Sequence, residues 1–198
     1  MRSRRTVALT LVVIAAGATT GCGSSAGVTL LGDPSGYLLS LSQLTSPDFT
    51  VYQAVGPVGA GWLDPGSAAA LTKDGWTRAA EVEYYRAVPF ATSNGPITLT
   101  VAVAGFATSG DAAAAMTRLD TALDARSGAE PASTGSLRDS HAITVEGVVQ
   151  DVQAVELIVV WRVDNLVNSL VGEGRLGGLQ LTQLLPMATT QSANELRS

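Results

Sequence analysis

The sequence predicts an α+β fold: an antiparallel sheet with helices packed on one face, laid out as strand, strand, helix in each half of the chain. Three observations predict it. Residues 76–88 and 142–149 alternate apolar and polar side chains at the two-residue period of a half-buried strand. Residues 97–106 and 154–163 are apolar runs rich in β-branched side chains. Residues 111–126 and 178–196 repeat apolar positions at helical spacing. The weak residue-level similarity between the halves makes duplication a suggestion from order alone, and that order implies antiparallel pairing.

The elements follow in chain order. Residues 28–43 are apolar but broken by Gly32, Asp33-Pro34 and Gly36, and Leu38, Leu39, Leu41 and Leu44 suggest a short helix or edge segment. Residues 49–55 read as a strand, and 56–61, with Gly56, Pro57, Gly59 and Gly61, as a loop. Asp64 is placed as an N-cap with Pro65 at the first helical position, Gly75 as the left-handed stop, and a short helix over 68–74 between them. In 76–88 the alternation puts Trp76, Ala80, Val82 and Tyr84 on one face and Thr77, Ala79, Glu81, Glu83 and Tyr85 on the other. Ser93-Asn94-Gly95 turns the chain into 97–106.

Helix 111–126 carries its apolar stripe on Ala112, Ala115, Met116, Leu119, Ala122 and Leu123, which reads as core. Residues 127–136 read as a flexible connection. Gln150-Asp151 and Asp164-Asn165 are tight turns between the strands 142–149, 154–163 and 166–171. The closing helix, 178–196, places Leu181, Leu184, Leu185, Ala188 and Leu196 on one side, and Pro186 demands a kink or a late start.

Residues 1–21 have the parts of an export signal: Arg2, Arg4 and Arg5, an apolar run over 7–18, and the small-residue approach Thr19-Thr20-Gly21 before Cys22. That run is shorter than the ~20 residues a membrane-spanning helix needs. With Gly21-Cys22 the chain resembles bacterial lipoproteins, although Thr19 stands where that family prefers an aliphatic residue. The resemblance implies cleavage before Cys22, a diacylglyceryl group on its sulfur, acyl chains such as palmitate, and attachment to the extracytoplasmic face of the cell membrane. Two or more acyl chains make such attachment stable. Residues 22–30 would then be the lipidated anchor and flexible leash, and 31–198 a single domain. Arginine outnumbers lysine eleven to one, and in this the chain is similar to actinobacterial envelope proteins.

Removing 1–21 takes away three arginines and no acid, which leaves nine basic against 17 acidic residues and a net charge of −8. An acidic chain without a basic cluster argues against nucleic acid as a partner. Gly172-x-Gly174-x-x-Gly177 spells a dinucleotide pattern, but no second parallel strand follows to carry a ribose-binding acid, so it reads as a strand-to-helix loop. His141 is the only histidine and Cys22 the only cysteine, which removes most support for a catalytic triad or a zinc site. No cofactor or metal is expected.

Glu81 and Glu83 share a strand face within reach of Arg78 or Arg86, and read first as a solvated face. Trp161 reads as a core plug or, functionally, as the wall of an apolar pocket. Trp62, between Gly61 and Asp64, is the aromatic expected to be exposed for a partner.

These residues lead to a non-enzymatic, lipid-anchored envelope protein that binds a protein partner or small ligand, with Trp62 and Trp161 as candidate ligand-binding residues. One alternative is a carrier holding lipid or another apolar molecule in a cavity between sheet and helices, lined by Leu157, Val159 and Trp161. The other is an envelope hydrolase using the carboxylates Glu81, Glu83 or Asp151.

Overall fold

Strands with little room for charge dominate the computed structural model, which describes residues 29–30 and 32–197. The export-signal stretch and Cys22 lie outside the described residues. In chain order the elements are β1 (Phe49–Val58), α1 (Ala68–Lys73), β2 (Trp76–Arg86), β3 (Thr98–Phe106), α2 (Ser109–Asp124), β4 (Ala129–Pro131), β5 (Ser140–Val149), β6 (Val152–Val163), β7 (Leu166–Arg175) and α3 (Leu181–Glu195). The strands form one sheet in the order β1-β2-β3-β7-β6-β5-β4, with every neighbouring pair antiparallel. The fold is therefore of the expected α+β, antiparallel class.

Each half is a meander that ends in a helix, and β3 and β7 join the halves at the centre. The helices divide between the faces. Alternation sends Leu99, Val101 and Val103 of β3, with Leu170 of β7 and Leu157, Val159 and Trp161 of β6, against Leu184, Met187 and Ala188 of α3. It sends Ala104, Phe106, Ile158, Val160 and Val167 against Ala112, Ala115, Leu119 and Leu123 of α2 and Leu71 of α1. The single-face placement of the helices thus gives way to one long helix per face. The physical reason is that β3, β6 and β7 are apolar on both sides, and each side needs a cover. A two-fold axis normal to the sheet would exchange the meanders but leave both helices on one face, so the repeat does not extend to the helices.

Four local expectations change. Residues 56–58 continue β1 opposite Ala79–Glu81 instead of looping, and Pro57 is tolerated because β1 is an edge strand. A register shift at the start of β2 turns Trp76 toward the α2 side. The 127–136 connection contains β4, which adds three residues to the edge of β5. Gly172 and Gly174 belong to β7, so the dinucleotide-like pattern is mostly strand.

Those two glycines are there for close packing. A Cβ on Gly172 would meet Leu184 at 3.2 Å, and one on Gly174 would meet the Gly95 carbonyl at 2.9 Å and Leu179 at 3.0 Å. Residues 32–43 form two short 3₁₀ turns, Pro34–Tyr37 and Leu41–Gln43, that bring Tyr37, Leu38 and Leu39 into the core. The Tyr84 hydroxyl donates to the Leu39 carbonyl and locks that segment to β2.

Caps behave as the local sequence requires. Asp64 accepts from the Gly66 amide at 3.2 Å, Gly75 ends the α1 segment at φ 80°, and Thr108 Oγ1 accepts from the Asp111 amide at 3.1 Å at the start of α2. Gln150 and Asp151 both take positive φ, 50° and 62°, in the two-residue β5–β6 turn. Near Leu30 the chain is stitched to the β6–β7 turn: its amide donates to Asn165 Oδ1 at 2.7 Å, and Asn165 Nδ2 donates to the Leu30 carbonyl at 3.2 Å and the Phe106 carbonyl at 3.0 Å.

Helix α3 starts at Leu181 behind a Gln180–Gln183 capping box, so Pro186 lies inside it and does not set its start; its buried stripe is Leu184, Met187, Ala188, Gln191 and Glu195, and Leu196 is exposed. Two of the five are polar. Asn168 of β7 serves both: its Nδ2 donates to Glu195 at 3.3 Å and its Oδ1 accepts from Gln191 at 3.0 Å. Burial pushes the Glu195 carboxyl up from its ordinary 4.5 to about 8, while the Asn168 hydrogen bond pulls the other way.

Between those two values the folded protein holds a proton that the unfolded chain has lost. Stability should therefore be full below about pH 4.5 as far as this group is concerned, and should fall as pH rises through 8. We expect Glu195→Gln to flatten that dependence and to stabilise the protein above pH 8 by an amount on the order of a few kcal/mol. Urea melts of both proteins at pH 5 and pH 8.5 check it; parallel pH profiles would contradict it.

Candidate functional site

On the α2 face, alternation and register line up side chains in rows that run across the sheet. The outermost row reads Tyr85 (β2), Thr98 (β3), Glu173 (β7), Glu156 (β6) and Val145 (β5), each directly opposite the next. The next row inward carries Glu83, Thr100, Val171, Ile158 and Ile143, and Glu81 lies one row further in. Helix α2 covers the inner rows and stops before the outermost one.

Two adjoining clefts result. One, of about 650 Å³, lies between the end of β2 with the following connection (Tyr85; Val88 and Phe90) and the β5–β6 hairpin (Gly147, Val149). The other, of about 520 Å³, is bounded by Trp62, Leu63, Glu81, Leu123 and Arg126. Glu156 and Glu173 line both, so they form one trough across the far end of the sheet.

Its electrostatics are crowded. Glu173 and Glu156 sit opposite each other on adjacent strands, an arrangement that costs stability unless each finds a partner. Arg126, just past the end of α2, donates to Glu156 at 2.6 Å, and the Thr98 hydroxyl donates to Glu173 at 3.2 Å. The Glu81 carboxyl is raised above its ordinary value, first by burial and then by the negative charge of Glu83. Among the described residues no group of three or more His, Cys, Asp or Glu is placed to hold a metal ion.

The structure separates the residues that the sequence singles out. Trp62 folds over the sheet from the loop after β1, half-buried, with its indole N–H donating to Ser169 Oγ at 3.2 Å, and it forms one wall of the inner cleft. Trp161 is fully buried in the core and cannot touch a ligand at the surface, which corrects its candidacy as a ligand-binding residue. Leu157 and Val159 are buried beside it against α3, so the cavity that a carrier would need at these positions is filled by packed side chains.

Glu81 and Glu83 do share a face, but Arg78 and Arg86 fall on the opposite one by strand alternation. Arg78 donates to the Gly32 carbonyl, and Arg86 to the carbonyls of Asn94 and Pro96. Asp151 sits in the β5–β6 turn at the hairpin tip. His141 lies on β5 and meets Asp124 of α2 at 2.9 Å, where it ties helix to sheet.

Glu156, Glu173 and Arg126 escape the sequence reading. Glu156 had a signal: it interrupts the apolar run 154–161. Glu173 was hidden inside the glycine-rich pattern, and Arg126 has no mark until the fold brings it to Glu156. A double-mutant cycle on Arg126→Ala and Glu156→Ala should return a coupling of roughly 0.5–1 kcal/mol that shrinks with added salt. A coupling unchanged in high salt would show that contact packing, not charge, joins the two side chains.

No protein-family model matches the chain, and no curated protein matches it. Among solved structures the chain is similar to the extracellular domain of PknH from Mycobacterium tuberculosis, with a TM-score of 0.54, 12% sequence identity, and coverage of 83% of this chain and 95% of that one. At that identity the likeness is one of fold, and the α+β sheet described above is what the two share.

Proposed function

We propose that this chain is an extracytoplasmic, lipid-anchored, non-enzymatic protein of the cell envelope that binds a protein partner or small ligand in the trough. The observation that carries the reading is the trough itself: a half-open cleft on a sheet face that is otherwise covered by α2. Two further features support it. The stretch before Cys22 has the form of a lipoprotein signal, and the fold resembles a domain described as extracellular.

The layout suits a tether. Leu30, where the leash meets the fold, is bonded to the Asn165 turn and sits at the Phe106 end of β3. The trough lies at the Thr98 end, roughly 27 Å away along the strand. A domain attached through Cys22 would present it away from the attachment point. Cys22→Ser should move the protein from the membrane fraction to the culture medium or leave its precursor uncleaved, with loss of metabolically incorporated acyl label. Unchanged membrane retention of a label-free protein would overturn the anchor.

A second reading, an envelope hydrolase, is favoured by one observation: the raised Glu81 carboxyl lines the inner cleft with Glu83 next to it on the same strand face. Glu81, whose protonated form is favoured by burial, would donate to a leaving group while Glu83 acts as base. Hydrolysis of envelope polymers or esters that Glu81→Gln lowers by about 10²-fold or more would establish it, and inactivity of the wild-type chain on both classes would end it.

A further inference from the structure

The trough is apolar at its two ends and acidic in the middle, and this division constrains what fits there. At one end stand Tyr85, Val88 and Phe90, and at the other Val145 and Val149; Tyr85 is 38% and Val149 45% exposed, high for large apolar side chains that flank a cleft. Between them Glu173 faces Glu156. On the trough face the two clefts are lined by the acidic residues Asp64, Glu81, Glu156 and Glu173 against the single guanidinium of Arg126, while Glu146, paired with Val155, alternates to the opposite face. Asp64 is occupied as a cap, Glu156 pairs with Arg126, and Glu81 is half-buried beside Glu83 at the inner end, which leaves Glu173, held by one hydroxyl, as the exposed acid at the centre.

Charge and size select among occupants. An anion would meet four acidic residues against one arginine. A neutral apolar molecule would strip water from Glu173 and Glu156 without giving back a partner, which costs free energy. A bare metal ion lacks a set of ligands among the described residues. The row from Tyr85 to Val145 crosses five strands, a span of roughly 19 Å at ordinary strand spacing. The geometry points to a small, elongated organic amine as the occupant, its apolar body against Tyr85, Val88 and Phe90 and its ammonium group between Glu173 and Glu156. This assignment rests on the reading of the trough as a ligand site.

The test is calorimetric titration of the full chain in nanodiscs, with empty nanodiscs as the blank. The probes are 4-phenylbutylamine, its neutral analogue 4-phenylbutanol, its anionic analogue 4-phenylbutyrate, and spermine, which has charge without an apolar body. We expect one molecule of 4-phenylbutylamine per chain, the other three weaker by about tenfold or more, and affinity that falls with salt. Glu173→Gln, an exposed position, should weaken the amine about fivefold or more and leave 4-phenylbutanol unchanged. Phe90→Ala should weaken every probe that binds.

Equal binding of amine and alcohol, or wild-type affinity in a folded Glu173→Gln chain, overturns the assignment. If the alcohol or the butyrate binds best and Phe90→Ala abolishes it, the trough survives as a ligand site while the amine does not. Tightest binding by spermine overturns the role of the apolar wall, and no binding by any probe overturns both the amine and the trough as a small-molecule site.

Discussion

The pairing of β3 with β7 is the constraint on which the rest of the structure depends. It is the hydrogen-bonded seam between the two meanders, and it runs in unbroken register from Thr98 opposite Glu173 to Gly105 opposite Leu166. Strands at such a seam have no edge, so their side chains must be buried above and below. Val101, Val103 and Leu170 answer on one side, and Ala104, Phe106 and Val167 on the other, all essentially inaccessible. Each such side chain contributes about 1.5–3 kcal/mol when fully buried, provided that something covers it. The second helix of the pair has to go where the first is not.

That requirement shapes both faces differently. On the α3 side the cover is tight enough that a Cβ on Gly172 would crowd Leu184 at 3.2 Å, and the buried stripe of α3 closes on the polar set Asn168, Gln191 and Glu195. A neutral carboxyl fits there better than a charged one. On the other side the cover is shorter than the sheet. Helix α2 has 16 residues, about 24 Å, and returns along strands of about 30 Å. The outermost row is left open, and side chains that no helix packs against are free to be acidic.

The trough is thus a consequence of helix length before it is a feature of composition. Its floor is β-sheet, held by ladders on both sides, so the spacing of Glu173 and Glu156 is set by strand pairing and not by loop conformation. Its walls come from connections: the 59–64 loop with Trp62, the 87–97 connection with Phe90, and the β5–β6 hairpin. A rigid acidic floor between apolar walls separates the two requirements of recognition, position from the sheet and shape from the loops.

Much of the fold is legible in the chain because local patterns report it. The alternation of 76–88, the helical stripe of 111–126, the Asp64-Pro65 start and the Gln150-Asp151 turn each depend on neighbours in sequence, and each is found in place. The short strand at Ala129–Pro131 and the continuation of β1 through Pro57 were not legible, since both exist only because a partner strand is there to pair with. The two-sided burial of β6 was written in its apolar run, yet which helix covers which side was not, because periodicity carries no information about the face an element returns to. The same holds for the site. Glu81 and Glu83 were visible as a pair on one face; Glu156, Glu173 and Arg126 lie 43 to 92 positions away along the chain and join them only through cross-strand register and the end of a helix. By itself the sequence determined the acidic balance, the elements and their pattern of burial, since these follow from local chemistry. The trough was decided only by tertiary structure, because it is made from what the helices fail to cover.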